Sequence, residues 1–430
     1  MIELAHGVGR VYESPLPTWL YWIGAAATVA ASFVIRALSR DEPRATEPRR
    51  LAGRGVARAV ELVARVLAFV VVALMVISGA AVAGQGLLLA PLLFWVALIV
   101  ATAAANAVVD GLWRAADPWR VLVDVYARPS EGTRRRGAPP WWIGPLSIYA
   151  LFWFELVSGV GFASRVIAAV VIGYTAFVLI FRPRLNDDWS HVDPLAILFG
   201  FAGRGAPLVL DDDGIYYRGP VAGLDQRDAM PLALFGSLFV LLGSTTLDNV
   251  RETVGWTEFR QAAGIDALPV MVVDSVALIA FAFVFFIPFV VSLVWARSSA
   301  RVGVMARARL FGWSLVPIGV AYLLAHNAPL LMTGVPQAIA ELSDPFARGW
   351  NLFGTANLFH GYIPSPAFVW FLEIALIVGG HVIGVLVAHR IAVRIAGSHR
   401  EAVVGQIALT VLMSLFTIMT LALLSQPLVA

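Results

Sequence analysis

Long apolar runs alternate with shorter polar ones along the whole chain. The runs cover 17–38, 60–81, 85–108, 141–161, 165–181, 231–250, 269–295, 308–333, 366–389 and 402–424. About 20 helical residues cross a hydrocarbon core roughly 30 Å thick, and each run comes close to that length. Lipid offers the backbone no hydrogen-bond partner, so a crossing segment must satisfy its own amides and carbonyls. A barrel strand would alternate apolar and polar residues, and these runs do not. The pattern predicts an all-α integral membrane helical bundle of about ten transmembrane helices. It forms a single polytopic domain over 1–430, expected in the cell membrane with the lipid bilayer around it.

Composition agrees with this reading. The chain is 59% hydrophobic and 14% charged, whereas soluble domains carry roughly 25% charged residues. The absence of cysteine excludes disulfides, thiolate metal sites and cysteine nucleophiles. Every basic residue other than histidine is arginine, and positive residues in short loops mark the cytoplasmic side. With the N-terminus outside, alternation puts 25 of the 31 arginines in inner loops and five in outer segments. Arg65 falls at the inner end of the second helix. A missed or invented helix would scramble that split downstream of the error, so both termini are expected outside. The first run is not read as a cleaved signal peptide, because its arginine cluster follows it.

Two segments stand outside the helices. Residues 182–230 make the largest inner loop, in which "DPLAILFGF" (Asp193–Phe201) is too short to span and is expected to be interfacial or re-entrant. Residues 334–365 make the largest outer loop. No internal similarity supports two inverted five-helix halves. Pro288, Pro317 and Pro329 are candidates for helix kinks.

An ionisable side chain inside a span costs roughly 2.5–3.5 kcal/mol on insertion scales, so each one needs a reason. Glu155, Asp248, Asp274, His326 with Asn327, and Glu373 come from five different helices. At 1.5 Å per residue they share one layer, roughly 3–12 Å below the outer boundary. If their helices are neighbours, the layer is a polar pocket open to the outside. The competing reading is that such carboxylates snorkel or cap helix ends, most readily for Asp248 and Asp274.

Other histidines are less clear. His381 and His389 are eight residues apart, hence roughly 12 Å along the axis, and cannot share one metal. Gly379 and Gly380 beside His381 would admit a close helix. Pairing His326 with His381, with Asp248 nearby, would build a divalent-metal site or, less readily, a haem site. Interhelical hydrogen bonding is the plainer role for His381. The loop "NDDWSHVDP" offers Asp187, Asp188, His191 and Asp193 as oxygen and nitrogen ligands, although an acidic loop is usually just solvated. His6 and His360 have no supporting spacing. Phosphate-cradling glycine loops, HExxH and GxSxG are missing, and nothing suggests nucleic acid.

In order along the chain stand "LAHGVGRVYESPLPTWLYWIGAA", "DPWRVLVD", "LFWFELV", "GSTTLDNV", "YLLAHNAPLL", "SDPFARGWNLFGTA", "GGHVIGVLVAHR" and "LLSQPLV". This set resembles a family of bacterial and archaeal membrane proteins known as fenitrothion hydrolase-like. The resemblance implies a hydrolase with an outward-facing site, and its polar positions are Glu155, Asp248, His326, Asp344, His381 and His389. Glu373 lies outside the family pattern. Three functions therefore stay open. The first is a membrane hydrolase of small lipophilic, organophosphate-type esters, metal-assisted, with His326, Asp248 and Glu155 activating water. The second is an ion- or proton-coupled transporter. The third is a cofactor-binding or assembly subunit working with other membrane subunits.

Overall fold

The computed structural model describes residues 17–38, 47–126, 139–219, 221–294, 302–357 and 365–425, without the side chains of Asn186 and Asp187. His6 and His360 lie outside the described residues. The architecture is a bundle of apolar helices. Nine of them, among the described residues, are long and apolar enough to cross a membrane. They are α1 (Thr18–Leu38), α2 (Arg54–Ala81), α3 (Leu89–Val108), α5 (Ser164–Leu185), α6 (Leu232–Arg251), α7 (Val270–Ser292), α8 (Val304–His326), α9 (Pro366–Ile395) and α10 (His399–Leu424). This is the build of a multi-pass membrane protein.

The run at 141–161 forms a shorter helix, α4 (Ile143–Leu156), of 14 residues. That is about 21 Å of helix. The chain turns at Gly159, which sits at φ +70°, a left-handed conformation that glycine adopts without strain. Short as it is, α4 reaches between the two faces of the bundle. A Cβ on Gly144 in its first turn would lie 2.5 Å from the His191 carbonyl in the 182–230 connector. Its last carbonyls meet Arg251 at the far end of α6.

The run at 308–333 is not one helix. It breaks after His326, and a second helix, Ala328–Glu341, follows with Pro329 in its first turn. Proline lacks the amide that would bond back to the Ala325 carbonyl and its ring would strike that carbonyl, so the first helix stops there. The large loop expected at 334–365 therefore begins inside this second helix. Pro288 and Pro317 stay inside continuous helices.

Close helix approach is decided by glycine at two places. On α9 a Cβ at Gly380 would lie 2.5 Å from Ala321 Cβ and 2.7 Å from the Pro317 carbonyl of α8, whereas Gly379 faces open space. Gly243 of α6 similarly lies against the backbone of Phe281 and Ala282 in α7. The α6–α7 and α8–α9 pairs are thereby drawn together beneath the polar layer.

A small sheet was not legible in the sequence. β1 (Arg49–Gly53), β2 (Val109–Asp110), β3 (Leu208–Asp211) and β4 (Gly214–Tyr217) form four strands in the order β1-β4-β3-β2. β3 and β4 make an antiparallel hairpin around Asp212 and Asp213, β1 adds antiparallel to β4, and β2 adds parallel to β3. The strands come from three separate connectors, all on the arginine-rich side of the alternation. We call this end the sheet face.

Candidate functional site

α6 ends in Leu247-Asp248-Asn249-Val250-Arg251, and α8 ends in His326. The two helix ends lie side by side. His326 Nε2 is 2.6 Å from Asp248 Oδ2, with the side chains 9% and 7% exposed. His326 Nδ1 is 3.2 Å from Asn249 Oδ1. The orientation of that amide is set by its other end, which donates to the Thr245 carbonyl at 2.9 Å and to the Tyr322 hydroxyl at 3.0 Å. With the amide oxygen facing the ring, Nδ1 carries a hydrogen and donates. The Nε2–Asp248 contact is short enough to be a charge-assisted bond holding a second proton. Both ring nitrogens are engaged by the protein.

Arg251 completes the arrangement. Its Nη2 is 3.0 Å from Asp248 Oδ1, three residues earlier on the same helix. Its Nη1 donates to the Leu156 carbonyl at the end of α4, where a cation also complements the helix dipole. Glu155, in that last turn of α4, lies within electrostatic range of Asp248, His326 and Arg251. Glu373 of α9 is buried and within range of His326. Four helices thus bring Glu155, Asp248, His326 and Glu373 to one end of the bundle. Asp274, at the start of α7, is drawn toward Arg251 and Arg260 and sits at the edge of the group. Asn327 caps α8 and bonds back to the Leu323 carbonyl at 3.0 Å, so it points away from the ring.

Sequence reasoning missed Arg251, Asn249 and Tyr322. The signal for Arg251 was its place three residues after Asp248, a spacing at which opposite charges meet on a helix. The break after His326 was signalled by Asn327-Ala328-Pro329, a polar residue followed by proline at the start of a new helix.

The remaining candidates fall elsewhere. His381 donates from Nδ1 to the Ile377 carbonyl of its own helix at 2.8 Å, an intrahelical bond where an interhelical one was expected. It is not brought to His326 and Asp248. His389 sits at the sheet face, 3.4 Å from Gln406 Nε2, with its ring centroid 6.0 Å from that of His399. Asp344 is a loop residue, accepting from the Arg348 and Gly349 amides at 2.8 and 2.6 Å. Partial burial works against its ionisation, but those amide bonds outweigh it and hold the carboxyl below the usual range.

The acidic loop also resolves into structural roles. Asp193 caps the helix Pro194–Arg204, accepting from the Ala196 amide at 2.8 Å and from the Tyr174 hydroxyl at 2.5 Å. Burial pushes its carboxyl up to about 7, against the pull of both hydrogen bonds. Burial pushes His191 below its ordinary range, with Asp188 opposing and Arg204 adding to the effect.

Among the described residues no three His, Asp or Glu side chains converge as a metal ion would require. The set His326, Asp248 and His381 does not fit a divalent ion as it stands, because both His326 nitrogens are engaged. His381 keeps a buried Nε2 with no hydrogen-bond partner among the described residues, but no two further His, Asp or Glu side chains gather with it there. No family model, curated protein or solved structure matches the chain.

Proposed function

We propose that the chain is a proton-coupled transporter of the cell membrane, with the sheet face cytoplasmic, the Asp248–His326 site on the outer side, and one proton shared by that pair. The observation that carries the reading is the His326 ring held between two acceptors, Asp248 Oδ2 at 2.6 Å and Asn249 Oδ1 at 3.2 Å. Neither nitrogen is left to ligate a metal or to deprotonate water while this contact stands. The arrangement suits holding a proton and releasing it.

Release has a structural consequence. Asn249 keeps the hydrogen on Nδ1, so the departing proton is the one between Nε2 and Asp248. Its loss leaves a lone pair facing a carboxylate oxygen at the same short distance, two acceptors that repel. The ends of α6 and α8 must then separate, which ties protonation to helix position. Arg251 stays on Asp248 and limits the cost of the uncovered charge. Glu155 and Glu373 supply further carboxylates through which a proton or a coupled cation could pass.

The test is a pH jump on proteoliposomes adsorbed to a solid-supported membrane. Wild type should give a transient charge displacement, retained in Asp344→Asn and lost in Asp248→Asn and His326→Gln. A displacement of wild-type size in Asp248→Asn would overturn the reading. The same contact supports a second reading, ester hydrolysis, because an Asp–His pair also serves as the acid–base element of hydrolases. It requires Nδ1 to leave Asn249, give up its hydrogen and turn to water while Nε2–H stays on Asp248. Turnover of an aryl organophosphate ester that is lost in His326→Gln, with no charge displacement in wild type, would favour it.

A further inference from the structure

Between α6 and α7 the chain makes a short amphipathic helix, Val254–Ala262, capped by the Thr253 side chain on the Trp256 amide. This helix lies across α7 and leaves a slot of about 570 Å³ beneath it, within the size range of small-molecule sites, roughly 300–1,000 Å³. Trp256 and Phe259 stack at 5.5 Å over one side, Phe281 closes it edge-on to Trp256, and Ala277 and Ala280 form its floor. The surface around it, including Phe259, Val272 and Val276, is exposed and apolar, so the slot opens toward lipid.

No charged side chain lines the slot, but two stand next in sequence to residues that do. Asp274, whose neighbours Val273 and Ala277 line it, is 7% exposed and has a buried Oδ1 with no hydrogen-bond partner among the described residues. The Nε of Arg260, next to Phe259, is buried and likewise without a partner among the described residues. The two charges lie within electrostatic range of each other, yet no ion pair joins them among the described residues. Arg251, the other cation near Asp274, is engaged by Asp248 and the Leu156 carbonyl. An occupant whose head reached both charges would be apolar along its body and carry both an acceptor for Arg260 and a donor for Asp274.

We propose that the slot binds one acyl chain of a phospholipid with a primary-ammonium head group, its phosphate on Arg260 and its ammonium on Asp274. A quaternary ammonium cannot donate to the carboxylate, and a glycerol head brings no positive charge to it, so the site distinguishes lipids that share the same chains. This inference does not depend on the proton reading.

The experiment is native mass spectrometry of the full chain in mild detergent. The probes are phosphatidylethanolamine, phosphatidylcholine and phosphatidylglycerol of identical chain composition. Phosphatidylethanolamine should be retained in preference to both others. Arg260→Gln should weaken it about tenfold, the loss expected for one hydrogen bond to a charged group. Asp274→Asn should remove its preference over phosphatidylglycerol. Ala280→Trp, at a lipid-facing position, should fill the slot and weaken binding with both head-group ligands intact. It also keeps the test decisive if Asp274→Asn does not fold. Equal retention of the three lipids by wild type, or unchanged phosphatidylethanolamine binding in Arg260→Gln and Ala280→Trp, would overturn the proposal.

Discussion

The contact between Asp248 and His326 should appear as a large coupling energy in a double-mutant cycle. Both side chains are more than nine-tenths buried and 2.6 Å apart, and they hold the ends of α6 and α8 together. Breaking a buried pair by removing one partner costs about 3–5 kcal/mol. His326→Gln should fall at or below the low end, about 2–3 kcal/mol, because Arg251 still covers Asp248. Asp248→Asn should cost more, about 3–4 kcal/mol, because it leaves Arg251 without its counter-charge. If the two acted independently the double variant would lose about 5–7 kcal/mol, a large share of the 5–15 kcal/mol that holds most domains folded. An Asn–Gln pair can instead hydrogen-bond across the same gap, so the double variant should lose only about 3–4 kcal/mol, a coupling of about 2–3 kcal/mol. Reversible unfolding in mixed micelles, followed through the 14 tryptophans, measures all four proteins. Single effects that add within about 0.5 kcal/mol would refute the argument, since independent side chains neither share a proton nor join the helix ends.

Three further outcomes are expected. Gly380→Ala should destabilise by about 1–3 kcal/mol through overpacking against Ala321 and Pro317, while Gly379→Ala, in open space, should be neutral by the same unfolding assay. Asp193 has a carboxyl raised to about 7 in the fold, so its stability contribution is complete below its unfolded value near 4 and is lost as pH rises through 7. Asp193→Asn, always neutral and still able to cap, should therefore flatten the pH dependence of thermal unfolding between about 4 and 7, and an unchanged slope would count against it. Single cysteines at Ser190 and Asn357, in a chain with none of its own, should label with an impermeant thiol reagent on intact cells at Asn357 but not at Ser190. The reverse pattern would reject the orientation.

The membrane helices were legible because lipid leaves the backbone few ways to satisfy itself, so apolar length alone locates them. What apolar length cannot register is a break that stays apolar. The run through His326 continues as Ala328, Pro329, Leu330 and Leu331, and hydropathy passes over Asn327 and Pro329 although the helix ends between them. The sheet escaped for the opposite reason. Its strands are two to five residues long, too short for a period-2 pattern, and they pair only because the bundle gathers three connectors at one end. At the site, depth counting grouped Glu155, Asp248, His326 and Glu373. It could not show that Asn249 fixes one ring nitrogen or that Arg251 ties α4 to α6, because both depend on how the helices rotate about their axes. His381 donates from its buried Nδ1 one turn back along α9 and leaves Nε2 without a hydrogen-bond partner among the described residues, a division of roles that residue type alone does not reveal.

The contacts between connectors bear on the alternation of crossings independently of the arginine count. At the sheet face, Arg394 reaches Asp225 and the Gln226 carbonyl, His399 meets the Ala37 carbonyl, and the sheet joins three connectors. At the other end Ser164 donates to the Gly84 carbonyl, Gly86 to Phe162, and Gln85 to Gly159. Each of these bonds links segments that alternation assigns to the same side, which would fail if a crossing had been miscounted. α8 runs between the two ends and is buried over most of its length. At one end it carries His326. At the other, Arg309 and Trp313 donate to the carbonyls of Met230 and Asp228, and Arg307 to that of Leu293. Twenty-three residues of helix make a rod of about 35 Å. Pro317 removes one backbone hydrogen bond midway along that rod, and close packing around Gly380 opposes bending there. On the proton reading, a change in the Asp248–His326 contact would be passed toward the sheet face through α8, with the bonds to Asp228 and Met230 the place to look for it.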